Sequence, residues 1–227
     1  MTISHCCPHC GSQSVDWSHQ SRTIIGWCDR CGEIEHIGIQ EQRTNILKKY
    51  QIIYADPPWD YKGQKQHNGK GGTETGGAIK HYPTMKLPEL KALKPMIEDL
   101  MDDDCLLFMW TSSPHLDQAI ELMKHWGFKW ATVGFCWDKE RANPSFYTMS
   151  QIELCLIGKR GRIPQPRGAR NIRQYIQHPR ERHSKKPDEA RKRIELMFPM
   201  QQKIELFARE RVANWDAWGN EIENSSN

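Results

Sequence analysis

Apolar residues gather in short runs along this chain. Ile52-Ile53-Tyr54-Ala55, Cys105-Leu-Leu-Phe-Met-Trp110, Trp130–Trp137 and Ile152–Ile157 each have the length of a buried strand and end at polar, Gly or Pro residues. Between two of these runs, Leu116, Ala119, Ile120, Met123 and Trp126 recur three or four residues apart. That period predicts a helix with one apolar face, stopped at Gly127. Leu87-Pro-Glu opens a second helix reaching about Leu100, interrupted or restarted at Pro95. Ser184–Glu189 places proline and acids where a helix starts, with Ile194, Met197 and Phe198 as its apolar positions. Lys203–Arg209 reads as a further strand emerging into a charged rim. This alternation predicts a layered α/β domain.

The first part of the chain follows another rule. Val15 and Trp17, then Thr23, Ile25 and Trp27, keep a period of two in short runs, as strands of a small ribbon would. Cys7-Pro-His-Cys10 and Cys28-Asp-Arg-Cys31 bracket those runs, with 17 residues between the pairs. Four thiolates at such spacing make a closed tetrahedral site suited to structural zinc, on which so small a module depends to fold. Five of the eight cysteines fall in the first 31 residues, which points to metal and away from disulfides. Cys6 is a bystander or an alternative ligand. The expected division is a zinc ribbon over 1–38 and a larger domain over 39–227.

Composition adds two things. A chain of 227 residues holds one substantial core plus a small appendage, and no stretch approaches eighteen consecutive apolar residues, so no membrane association is expected. The formal charge is only +4, but Lys159–Arg193 contains thirteen Lys/Arg against three acids. Spread through polar and Pro/Gly-rich sequence, these cations point to a nucleic-acid partner whose phosphates they would position. Tyr61–Lys80, with six glycines and almost no apolar side chain, reads as a long loop of the kind that forms lids or binding segments. Its glycines lack the Gly-Lys-Ser/Thr ending of a phosphate-binding loop.

The stretch with the most chemistry is Asp56-Pro57-Pro58-Trp59, directly after the first apolar run. The prolines turn the backbone out of the sheet at a strand's carboxyl end, where open α/β sheets bind ligands. A carboxylate, proline carbonyls and an aromatic face suit an amino group attached to a flat ring. An ordinary strand-to-turn exit is the plain alternative. The motif resembles the Asp-Pro-Pro-Trp signature of amino methyltransferases, most closely the adenine-N(6) methyltransferase family that includes the catalytic subunit of the messenger-RNA adenosine methylation complex.

Later segments are similar to that family's in the same order: Tyr82-x-Thr84-Met85, Trp137-x-Lys139, Lys186-Pro-Asp, Glu205-Leu-Phe207-x-Arg209 and Trp-x-x-x-Gly-Asn220-Glu221. The resemblance implies a Rossmann-like S-adenosylmethionine-dependent sheet with permuted motif order, since the catalytic strand precedes the cofactor strand. No Gly-x-Gly-x-x-Gly precedes the central strand, which argues against a nicotinamide dehydrogenase. The resemblance further implies catalysis at Asp56, Pro57, Pro58 and Trp59. It implies a cofactor site at Asp56, Lys186, Glu205, Phe207, Arg209, Asn220 and Glu221, with Lys186 meeting the cofactor carboxylate and Asn220 the ribose. Tyr82 is a pocket residue or a packed anchor, Lys139 a phosphate or substrate contact or an exposed lysine, and Phe146 and Tyr147 stack a base or pack beneath the rim. DNA is preferred over RNA as substrate, in the cytoplasm of a bacterium or a phage-infected host. An inactive zinc-containing nucleic-acid-binding partner is the competing class. A homodimer and a pairing with a related methyltransferase both fit the sequence.

Overall fold

In the computed structural model the described residues are 15–20, 23–28 and 32–36, for their backbone, and 48–60, 84–144, 147–181, 185–219 and 222. Cys7, Cys10, Cys31, the Cys28 side chain, the loop 61–80, Tyr82, Phe146, Asn220 and Glu221 lie outside them, as does the expected domain boundary at 38. Two compact units divide the chain, Met1–Lys48 and Lys49–Asn227.

The first unit is a three-stranded antiparallel meander, β1 (Val15–Gln20), β2 (Thr23–Cys28) and β3 (Gly32–His36). Its strands carry the period-two runs, and β2 meets β3 with Cys28 opposite Gly32.

The second unit is built on β4 (Tyr50–Ala55). Helices α1 (Leu87–Ala92) and α2 (Lys94–Leu100) lead to β5 (Met101–Ser112), and α3 (Leu116–His125) leads to the hairpin of β6 (Lys129–Asn143) and β7 (Ser150–Arg160). Then follow β8 (Tyr175–Gln177), α4 (Asp188–Met197), β9 (Lys203–Leu206) and β10 (Asp216–Trp218). The sheet order is β10-β9-β4-β5-β7-β6-β8. Only β7 runs against the others, so the carboxyl ends of the other six strands and the start of β7 share one rim.

Alternation along the strands sorts their side chains into two cores. Ile53, Ala55, Cys105, Leu107 and Met109 pack against Leu90, Ile97, Ala119, Leu122 and Met123 of α1–α3. Ile52, Tyr54, Leu106, Phe108 and Trp110 face the other way, against Ala190 and Ile194 of α4. The helix breaks at Leu93, with Pro95 in the first turn of α2, and Gly127 closes α3 at φ +91°, its N–H donating to the Lys124 carbonyl, as the sequence predicts.

The boundaries differ from expectation at three places. Strand β9, expected over Lys203–Arg209, ends at Leu206 because Phe207 turns the chain at φ +59°. The hairpin strands β6 and β7 run several residues beyond their apolar runs, because antiparallel pairing carries polar residues such as Asp138 and Asn143 into the ladder. Finally, three residues of the basic stretch form β8, which adds to β6 in parallel through Cys136–Asp138.

Candidate active site

Asp56 leaves the sheet between two parallel neighbours, β5 and β9. The turn after it is fixed by its own backbone. The Trp59 N–H donates to the Pro57 carbonyl at 2.9 Å, and the Met85 N–H to the Pro58 carbonyl at 2.8 Å, joining Trp59 and Met85 in a bridge. Each of the two carbonyls thus keeps a second lone pair for a ligand, and Pro58 also anchors the returning chain. Trp59 is 5% exposed. Its indole N–H donates to the Trp110 carbonyl at 3.1 Å, and its ring stacks on His115 at 5.6 Å. The expected open aromatic face is in fact a buried plate, clamped where β4 and β5 end. His115 belongs to no motif; its ring is held by Ser112 and the Asp60 carbonyl.

Lys186, 130 positions away, donates to Asp56 Oδ2 at 2.8 Å. The same ammonium lies 3.3 Å from Glu153 Oε2, and Glu153 Oε1 accepts from Lys139 at 3.2 Å. Asp56, Lys186, Glu153 and Lys139 thus form one chain of alternating charge. Lys139 is 5% exposed, which overturns the alternative of an exposed lysine: its ammonium pairs with Glu153. Burial pushes the Glu153 carboxyl upward, but Lys186 and Lys139 outweigh it and hold it below the ordinary glutamate range. Beneath the chain lies an aromatic floor. Trp110 sits 5.9 Å from the Lys186 ammonium and donates through its indole to the Tyr54 hydroxyl, while burial raises the Tyr54 phenol and the Cys155 thiol well above their usual values. Such a floor strengthens the ion pairs above it and makes Cys155 an inert thiol.

A second cluster occupies the β9 side of the rim. Glu205 accepts from Arg191 of α4 at 2.8 Å, and the same guanidinium reaches Glu210 at 3.1 Å and Asp188. Burial, with Asp56 adding to it, raises the Glu205 carboxyl against the opposing pull of Arg191. Phe207 holds a left-handed backbone, uncommon for a bulky residue and frequent at functional sites, with its ring edge-on to Trp218 at 5.5 Å. Arg209 follows, half-buried. Across this exit the Ala208 N–H donates to the Trp218 carbonyl. A Cβ on Gly219 would lie 2.4 Å from the Ala208 carbonyl oxygen, so only glycine permits the approach.

The rim thus brings together Asp56, Pro57, Lys186, Glu205 and Phe207 from segments far apart in sequence. Glu153 and Arg191 join them from outside any motif; the signal available for them is a charged residue inside an otherwise apolar strand or on the inner side of a helix. The basic stretch also divides. Lys185, Lys186, Arg191 and Arg193 are engaged by carboxylates or carbonyls, and Arg167 lies over the Phe198 ring. Arg162, Arg170, Arg173 and Arg180 are exposed.

Comparison with known proteins bears on this arrangement. The MT-A70 family matches residues 50–221, from the first residue of β4 past β10. The type II methyltransferase M.MunI of Mycoplasma sp. is 47% identical over 185 residues, covering 77% of this chain and 78% of that protein. The N(6)-adenosine-methyltransferase MT-A70-like protein of Arabidopsis thaliana is 26% identical over 86% of this chain, and the human N(6)-adenosine-methyltransferase catalytic subunit METTL3 is 26% identical over 85% of it. This chain spans only 28% and 31% of those two relatives. With Asp56-Pro57-Pro58-Trp59 at the carboxyl end of β4 and the match running through every strand of the seven-stranded sheet, the chain belongs to the MT-A70 family of adenine-N(6) methyltransferases.

Proposed function

We propose that this methyltransferase transfers a methyl group from S-adenosylmethionine to the exocyclic amine of adenine in DNA. The observation that carries the proposal is Asp56, a carboxylate held 2.8 Å from Lys186 at the carboxyl end of the strand on which the unit is built. The residues fit the cofactor by chemistry. Lys186 offers a cation for its carboxylate; Glu205 offers an acceptor for hydroxyl or ammonium donors; Phe207 and Arg209 follow at the strand exit. Asn220 and Glu221 complete the set implied by the family. When bound, the cofactor supplies a methyl group already activated on a sulfonium.

The chain's own work is therefore positioning and charge stabilisation. Asp56 and the Pro57 carbonyl accept the two amino hydrogens of a flipped-out adenine and orient its nitrogen. Asp56 also stabilises the positive charge that develops on that nitrogen, and the proton leaves afterwards to solvent. Trp59, fixed by Trp110 and His115, sets the wall of the pocket. Exposed Arg162, Arg170, Arg173 and Arg180 provide phosphate contacts. DNA is favoured because the type II methyltransferase matches over most of both chains. RNA is the second reading, since the N(6)-adenosine-methyltransferases share the family.

Labelled methyl transfer to matched DNA and RNA, followed by nucleoside identification, tests the proposal. Methyladenine in DNA, absent with Asp56→Ala, is the expected result. Label in RNA alone would overturn the substrate. Cofactor binding without transfer would favour an inactive partner. Structural zinc on Cys7, Cys10, Cys28 and Cys31 lies outside this chemistry. About one zinc per chain is expected, and retention of full zinc content by Cys28→Ser would reject this ligand set.

A further inference from the structure

Arg191 belongs to none of the sequence signatures, yet among the described residues it is one of the few buried cations. It is 8% exposed and lies on the inner side of α4. Its Nη1 donates to Glu205 Oε2 at 2.8 Å; Nη2 reaches Glu210 Oε1 at 3.1 Å and Asp188 Oδ1. One carboxylate would balance the charge of a guanidinium, and here three converge on it. Glu210 and Asp188 are about half exposed and also meet Lys185, so water and a second cation serve them. Glu205 is different. It is 13% exposed, sits opposite Tyr54 in the β4–β9 pairing, and feels Asp56 and Glu210 as repelling neighbours. Among the described residues, Arg191 pairs with it side chain to side chain at 2.8 Å.

We infer that Arg191 is a positioning residue for the cofactor pocket: its guanidinium fixes the Glu205 carboxylate as a charged acceptor for the hydroxyl and ammonium donors of S-adenosylmethionine. This rests on the reading of Glu205 as a cofactor contact. The fork suits the task where a lysine would not, because its several donors lie in one plane and hold three acceptors in register. Without that cation, burial and Asp56 drive Glu205 toward its neutral form, which offers a donor where the ligand needs an acceptor. Among the described residues, Arg191 of α4, Tyr54 and Asp56 at β4, and Glu210 after β9 face Glu205, and Asp188 shares the Arg191 guanidinium. On β10, Asp216 is tied to Tyr50.

The test is titration of S-adenosylmethionine into the full chain at about pH 6 and about pH 8. Wild-type affinity should change little between them. Arg191→Gln should bind about 10- to 100-fold more weakly at the lower pH and recover part of the loss at the higher, as Glu205 ionises. In Arg191→Gln/Glu205→Gln that recovery should vanish. Arg191→Lys, which keeps the charge and serves if the glutamine variant does not fold, should bind several-fold more weakly with a flat pH response. Affinity equal to wild type in either variant, or a loss with no pH dependence in Arg191→Gln, overturns the inference. Failure of the wild type itself to bind the cofactor removes the proposed function, a different and separable result.

Discussion

Two charge networks occupy one rim, and they are built on opposite plans. The chain Asp56–Lys186–Glu153–Lys139 alternates two acids with two lysines. The cluster at Arg191 gathers three acids around one cation. An ammonium is a compact point charge on a flexible stem, so it exchanges partners at little geometric penalty; a guanidinium is a planar fork whose acceptors must stay in register. Balanced charge suits exchange as well, because a ligand carboxylate that joins or displaces Asp56 or Glu153 at Lys186 still finds a cation. The lysine chain is the adaptable half of the site, and the arginine cluster is its splint.

Asp56→Ala strikes the adaptable half at the residue proposed to hold the target amine. Methyl transfer should fall by about 10²–10³-fold or more, while cofactor affinity falls much less. Lys186→Ala should lower both together, because it removes the proposed carboxylate contact along with the anchor of Asp56. Single-turnover rates and binding isotherms separate the two. Equal behaviour of the variants would mean that Asp56 and Lys186 act as one cofactor contact.

Glu153→Gln removes the shared partner of buried Lys139 and of Lys186, whose side chain is 12% exposed. Loss of one member of a buried ion pair destabilises by about 3 kcal/mol, and equilibrium urea unfolding measures it. A change below about 0.5 kcal/mol would class the chain with solvated surface pairs and dissolve the contrast with the arginine cluster. The exposed arginines mark the other limit. Arg170→Ala/Arg173→Ala touches neither network, so stability should stay within about 0.5 kcal/mol of wild type, while DNA affinity drops several-fold and the salt slope flattens by about one for each phosphate no longer neutralised. Unchanged affinity would move the nucleic-acid face elsewhere.

The sequence makes some of this plain and hides the rest for physical reasons. The two cores are legible because apolar runs and a 3.6-residue period are local signals, and Asp56-Pro57-Pro58-Trp59 is contiguous. The partnership of Lys139 with Glu153 is not. It depends on the register of β6 against β7, where Trp137 pairs with Glu153 and irregularities fall on both sides, and no run of letters states a register. Strand β8 stays hidden because three residues among prolines and arginines carry no period. The strongest misdirection comes from charge. Thirteen cations in one stretch suggest a single phosphate-binding surface, whereas Lys186 and Arg191 turn inward to carboxylates contributed by other strands. Trp59 misleads similarly, since a tryptophan after two prolines looks exposed until His115 and Trp110 close on it.

The two halves also differ in how acid should act on them, and this is the smallest effect and the most discriminating. The fold holds Glu153 below the ordinary glutamate value of 4.5 and raises Glu205 above it. A depressed carboxyl contributes stability that is present above its unfolded value and lost as pH falls through its folded value. A raised carboxyl does the reverse: its contribution is present below the unfolded value and lost as pH rises through the folded one. Relative to Glu153→Gln, the wild type should therefore lose its advantage as pH drops below about 4.5. Relative to Glu205→Gln, it should gain as pH drops from neutrality toward that value. Unfolding each pair from about pH 7 down to about pH 3 reads the two slopes directly. Opposite signs follow if two lysines outweigh burial at Glu153 while one shared arginine does not at Glu205. Slopes of the same sign would mean that Asp56, which shares Lys186 with Glu153 and repels Glu205, couples the networks into one titrating unit, and the division into adaptable half and splint would not survive that result.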